Sequence, residues 1–137
     1  CKIVLDKMEY ARRSPLVGIA TALDYASHPY TLILPCDTPY VNPTVLKLLV
    51  QEAQGFNAAI PRWDNGWIEP LQAVYRTRPS QEIVTLLLSA KACRIKHLID
   101  QLGRVKYIPV SRIRRIDPEL RTFININSPA ELHQNLQ

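Results

Sequence analysis

No apolar run in the 137 residues approaches the ~20 residues that cross a bilayer, so a membrane-spanning helix is excluded. The opening residues 2–5 read as a short strand rather than a signal peptide. Cysteine is scarce. Cys1, Cys36 and Cys93 are odd in number and show no CxxC spacing, which argues against a disulfide framework or a zinc site. A reducing cytoplasm is the expected home. Cys36 stands beside a carboxylate that would raise its thiol pKa, so packing rather than nucleophilic catalysis is expected of it. His28, His97 and His133 are not spaced as a metal pair. Aromatic residues make up only 7% of the chain and are barely interleaved with its basic residues. No nucleic-acid-binding module is recognisable. Repeats, low-complexity tracts and linker-like composition shifts are all missing, so one domain over residues 1–137 is expected.

What remains is ordinary for a globular domain: 47% hydrophobic and 21% charged residues, with a formal net charge of +5. The surplus suggests an anionic partner. Arg12 and Arg13 form one pair, and Arg104, Lys106, Arg112, Arg114, Arg115 and Arg121 crowd the last third.

Along the chain, strand-like and helix-like segments alternate. Ser14-Pro15 supplies an N-cap and a first-position proline for a helix carrying Leu16, Ile19, Ala20, Leu23 and Ala26. His28-Pro29 breaks it, and residues 31–34 read as a buried strand. Asn42-Pro43 opens a second helix with Val45, Leu46, Leu48 and Leu49, ended by Gly55. Residues 57–61 read as a strand, followed by a loop with an Asn65-Gly66 turn. Residues 71–75 follow as a strand, 80–89 and 94–102 as helices, with Gly103 stopping the second. Residues 104–109 and 122–126 read as strands, and Ser128-Pro129 opens a last helix. This alternation indicates an α/β fold with a largely parallel sheet.

Candidate chemistry gathers at strand ends, where open α/β sheets bind ligands. Asp37 follows the run Leu32-Ile33-Leu34-Pro35-Cys36 and is suited to holding a divalent cation against phosphate oxygens. Capping or turn duty is the alternative. Asp6 closes the first strand-like run and could share the same edge. Glu69 and Gln72 flank the start of the strand at 71–75. Asn125 and Asn127 flank Ile126, so an extended backbone projects both amides to one face. Trp63 and Trp67 flank the glycine-containing loop. Either could stack on a flat ring such as a pterin, or latch the loop to the domain.

Four segments in order resemble those of the molybdenum cofactor guanylyltransferases. They are Ser14-Pro15-Leu16-Val17-Gly18-Ile19, Leu34-Pro35-Cys36-Asp37-Thr38-Pro39-Tyr40, Ile68-Glu69-Pro70-Leu71-Gln72-Ala73-Val74-Tyr75, and Phe123-Ile124-Asn125-Ile126-Asn127-Ser128-Pro129-Ala130-Glu131-Leu132. The resemblance implies a Rossmann-like nucleotidyltransferase fold, three layers α/β/α around a mostly parallel sheet. It also implies transfer of GMP from GTP to molybdenum-carrying molybdopterin, with pyrophosphate released. Asp37 would be the catalytic Mg²⁺ ligand, contacting the nucleotide together with Asp6. Gly18, Glu69, Gln72, Asn125 and Asn127 would bind substrate, the two asparagines facing the pterin side or helping to hold the metal. Expected partners are GTP and the molybdopterin cofactor, then molybdoenzymes or other cofactor-biosynthesis proteins, with neither membrane nor nucleic acid. Ser14 replaces the family's first glycine in its segment. The family's glycine-rich phosphate loop has no counterpart here, so the 137 residues correspond to about the C-terminal two-thirds of the domain. Three alternatives stay open: a cytidylyltransferase, another nucleotidyltransferase of this fold, and a non-catalytic binding protein.

Overall fold

Two proline-led caps set the helical frame of the computed structural model, which describes residues 4–5, 14–92 and 94–127. Ser14 accepts a hydrogen bond from the Leu16 amide at 3.2 Å and starts α1 (Pro15–Tyr25), with Pro15 at a position where no amide is needed. Asn42 does the same for α2 (Pro43–Glu52), its Oδ1 accepting from the Thr44 amide at 2.9 Å. Asp6 and the helix expected from Ser128 lie outside the described residues, as do Cys1, Arg12, Arg13, Cys93 and His133. Of the strand expected at 2–5, only Val4 and Leu5 are described, neither of them in a strand, and the rest lies outside the described residues.

The strands β1 (Tyr30–Ile33), β2 (Ala58–Arg62), β3 (Ala73–Arg76) and β4 (Val105–Pro109) form one sheet in the order β1-β3-β2-β4. β3 is antiparallel to both β1 and β2, and β2 is parallel to β4. Three strands therefore run one way and β3 alone is reversed. The reversal follows from its connection: residues 63–72 turn the chain straight back without a crossover helix, so the next strand must point the other way.

Helices cover both faces. Leu16, Ile19 and Leu23 of α1 pack with α3 (Thr77–Ser89) and α4 (Ile95–Leu102) against Ala58, Ile60, Ala73 and Tyr75. Val45 and Leu49 of α2, with Val110 and Ile113 of the short α5 (Val110–Ile113), cover Ala59, Val74 and Ile108. Alternate residues of β2 thus enter opposite cores, as the two-residue period of a strand requires. These are the expected three layers.

Two expectations need correction, and one helix was not expected. α3 starts at Thr77 rather than Ser80, because Pro79 is tolerated in a first turn and Thr77 is anchored there. The Thr77 amide donates to the Pro29 carbonyl at 2.8 Å and its hydroxyl to that of His28 at 2.6 Å. α5 has no sequence signal, being too short to display a period. Residues 122–126 form no strand: Arg121–Phe123 is a 3-10 turn entered through Leu120 at φ 52°, and extended backbone follows.

Thr122 explains that turn. It is 0% exposed. Its hydroxyl accepts from the Asn42 amide at 3.1 Å, its carbonyl from Gln72 Nε2 at 3.0 Å, and its amide donates to Asp117 Oδ2 at 2.8 Å. Burial of Asp117 works to raise its pKa. Hydrogen bonds from the Thr122 amide and hydroxyl and the Arg121 amide, with the Arg121 charge, outweigh it and hold the carboxyl below its usual value.

Asp117→Ala should therefore cost about 2 kcal/mol at neutral pH, since it strands buried donors. The native pKa is lowered, so Asp117 stabilises the fold above the ordinary carboxylate value. That contribution is lost as pH falls through the native pKa. Urea denaturation at pH 7 and near pH 3 should show the gap between wild type and variant closing in acid.

Candidate functional site

The carboxyl ends of β1, β2 and β4 and the start of β3 share one edge of the sheet, by strand direction alone. Ile33 lies opposite Ala73, so the chain leading to Asp37 and the chain arriving from Gln72 meet there. Asp37 sits in a tight turn closed by the Thr38 hydroxyl, which donates to the Pro35 carbonyl at 3.2 Å. Asp37 Oδ1 is buried with no hydrogen-bond partner among the described residues. An uncompensated buried carboxylate oxygen is costly, and such atoms are found where a ligand completes them.

The C-terminal segment reaches the same place. The Ile126 amide donates to the Asp37 carbonyl at 2.8 Å. Ile126 is half-buried, while Asn125 and Asn127 on either side are exposed. The alternation that motivated pairing these two amides is present, although the backbone belongs to no sheet. A little further back, the guanidinium of Arg121 lies 4.3 Å from the centre of the Tyr40 ring. The Tyr40 hydroxyl is also buried and unpartnered among the described residues.

Glu69 and Gln72 are engaged with protein groups. Glu69 Oε1 accepts from the Trp63 indole nitrogen at 2.7 Å, and that indole packs on Phe123 with centroids 5.6 Å apart. Gln72 is buried, its amide nitrogen spent on the Thr122 carbonyl. Both hold the C-terminal segment against the sheet edge. The two tryptophans divide the roles the sequence left open: Trp63 is the latch, whereas Trp67 is 73% exposed. Between them Gly66 closes the turn at φ 88°, a conformation that favours glycine, with its amide donating to the Trp63 carbonyl at 2.9 Å. Trp67 lines a cavity of about 470 Å³ with Arg62, Ile68, Lys96, Asp100 and Tyr107. Gly18 is exposed near the start of α1, with nothing within 4 Å of where a Cβ would stand, so packing gives no reason for a glycine there.

Cys36 is exposed rather than packed, since it lies in the turn beyond β1. Part of the basic cluster is structural. Lys106 and Arg112 each pair with Glu52 at 2.7 Å, lowering its pKa through hydrogen bonds first from Lys106 and then from Arg112. Arg104 donates to the Gly55 carbonyl at 2.9 Å. Tyr40, Asp117 and Thr122 had no sequence signal, because their roles arise from contacts between segments distant in the chain.

Among the described residues no three His, Cys, Asp or Glu side chains cluster as a metal site. One carboxylate remains a fitting donor set for Mg²⁺, which keeps waters and takes substrate phosphates alongside one or two carboxylates. The unpartnered Asp37 Oδ1 meets that requirement.

Residues 1–105 match the family model described as the MobA-like NTP transferase domain. Asn125 and Asn127 fall beyond the match. A probable molybdenum cofactor guanylyltransferase of Methanosarcina mazei is 37% identical over 96% of this chain and 57% of its own length. One from Natronomonas pharaonis is 34% identical over 92% of this chain and 61% of its own. The chain thus spans little more than half of these relatives. The structure of molybdopterin-guanine dinucleotide biosynthesis protein A from Archaeoglobus fulgidus is similar at a TM-score of 0.76 and 31% identity, covering 88% of this chain and 60% of that one. A 2-C-methyl-D-erythritol 4-phosphate cytidylyltransferase from Thermus thermophilus shares the fold at a TM-score of 0.61 and 19% identity, over 87% of this chain and 66% of that one.

The tryptophans offer a direct check on the site's frame. Trp63→Ala should lower stability by about 2 kcal/mol through lost packing on Phe123, whereas Trp67→Ala should change it by less than ~0.5 kcal/mol. Denaturant midpoints of the two variants measure this.

Proposed function

We propose that this chain, which belongs to the MobA-like NTP transferase family, carries the metal- and acceptor-binding edge of a guanylyltransferase. The reaction is transfer of GMP from GTP to molybdenum-carrying molybdopterin. The observation that carries this reading is the buried Asp37 Oδ1 at the sheet edge, unpartnered among the described residues, with the backbone of Ile126, between Asn125 and Asn127, bonded to the Asp37 carbonyl. The names of the relatives supply the substrate class.

In this reaction a phosphate oxygen of the acceptor attacks the α-phosphorus of GTP. A new P–O bond forms to the acceptor as the bond from the α-phosphorus to the bridging oxygen breaks. Pyrophosphate leaves with that electron pair. The acceptor phosphate is already ionised, so no side chain need remove a proton. The work of the protein is alignment and charge. Asp37 would hold Mg²⁺ through Oδ1, and Mg²⁺ when bound neutralises phosphate charge. Asn125 and Asn127 orient the acceptor with their amides, which offer both donors and acceptors. Gly18 leaves room beside α1 for substrate, and Asp6 contributes to nucleotide binding. Glu69 and Gln72 shape the acceptor side through Trp63 and Thr122. The open face of Trp67 in its cavity suits the pterin ring.

In the full-length protein, Asp37→Ala should lower turnover with GTP by at least ~100-fold. Its thermal midpoint should stay level or rise, because the lost oxygen has no partner to forfeit. Retained turnover would refute the assignment. Running GTP and CTP side by side tests the base, and titration with EDTA tests the metal.

A further inference from the structure

We propose that Arg121, stacked on Tyr40, is a phosphate-binding side chain of the Asp37 site, with Tyr40 as the residue that positions it. The proposal rests on the transfer reaction above.

Three contacts tie residues 37–42 to residues 121–126. Asp37 meets Ile126 through the 2.8 Å backbone hydrogen bond, Tyr40 meets Arg121 at 4.3 Å, and Asn42 meets Thr122 at 3.1 Å. Arg121 therefore stands on the same rim as Asp37, against Tyr40, whose Cα lies at most about 11 Å from that of Asp37 across three residues of chain. A nucleotide triphosphate or an acceptor phosphate seated at Asp37 lies within reach of a long side chain from there.

Arg121 is exposed and forms no ion pair among the described residues, its charge acting on Asp117 only at longer range. Lys106 and Arg112 differ, since Glu52 engages both. Stacking on Tyr40 restrains the side chain while leaving its N–H edge open, so less freedom is lost when it binds. That edge matches the paired oxygens of a phosphate. A second observation points to a ligand on this rim. Only three buried side-chain polar atoms lack partners among the described residues, and two of them, Asp37 Oδ1 and the Tyr40 hydroxyl, belong to this one loop. Thr122, immediately after Arg121, is anchored to three other segments, so the cation is presented from a fixed backbone.

The shared chemistry is a phosphate oxyanion, from either the nucleotide or the acceptor. In the full-length protein, Arg121→Met should raise one Michaelis constant by about tenfold to a hundredfold, the loss expected for a charge-assisted hydrogen-bonded pair. Arg121→Lys should recover part of it. A rise for GTP, matched by weaker calorimetric binding of GTP and pyrophosphate, assigns the nucleotide phosphates; a rise confined to the acceptor assigns the acceptor phosphate. Tyr40→Leu should raise the same constant with kcat little changed, and Tyr40→Phe should recover most but not all of it, since it restores the ring without the hydroxyl. Circular dichroism checks that each variant folds. If Arg121→Met does not fold, the Arg121→Lys and Tyr40→Leu measurements decide. The proposal is overturned if these variants move neither Michaelis constant nor either affinity by more than twofold while Asp37→Ala is inactive. A fully active Asp37→Ala would instead remove the transfer reading beneath it.

Discussion

One buried threonine determines where the C-terminal segment goes. Thr122 ties the cap of α2 through the Asn42 amide, the approach to β3 through Gln72, and the 3-10 turn through Asp117. Each bond is worth only about 1 kcal/mol net, yet breaking one strands a buried polar group at higher cost. The knot therefore acts as a single unit. Its consequence lies four residues on, where the Ile126 amide donates to the backbone carbonyl of Asp37, almost ninety residues away in sequence, with an asparagine on either side of Ile126. Trp63, packed on Phe123 and fixed by Glu69, reinforces the same placement from the far side of the loop.

Two carboxylates at this end of the molecule illustrate opposite uses of burial. Asp117 is surrounded by donors, which hold it ionised despite desolvation. Asp37 keeps one buried oxygen without a donor among the described residues. The first arrangement stabilises the fold; the second gives up stability that a cation or a phosphate-bound ligand could restore. Natural proteins accept such local costs mainly at functional sites. That contrast, rather than the presence of an aspartate after a strand, is what supports the proposal that Asp37 is a binding carboxylate and not a turn residue.

The sequence displayed much of the frame because its signals are local. Ser14-Pro15 and Asn42-Pro43 begin helices as their side chains dictate, and the Asn65-Gly66 turn sits where expected. Legibility ended where partners are remote. Gln72 reads as a polar residue near a strand start, but its amide is spent on Thr122, fifty positions away. The alternation of Asn125, Ile126 and Asn127 suggested a strand with both amides on one face; no strand forms there, and the two asparagines are exposed around a half-buried isoleucine. The extended shape is enforced by tethers to Asp37 and Thr122, not by a sheet neighbour. Trp63 and Trp67 are chemically identical on the page, and only packing on Phe123 tells the latch from the open face.

Strand direction supplies the remaining logic. Reversing β3 between β1 and β2 leaves the ends of β1, β2 and β4 at one edge and brings the start of β3 to it as well. Were β3 parallel to its neighbours, a crossover helix would replace residues 63–72, and Gln72 would open β3 at the opposite edge from Asp37. Thr122 would then lose the partner that holds its carbonyl. The single antiparallel strand is thus the topological condition for the threonine knot, and through it for the meeting of Asp37 with Ile126.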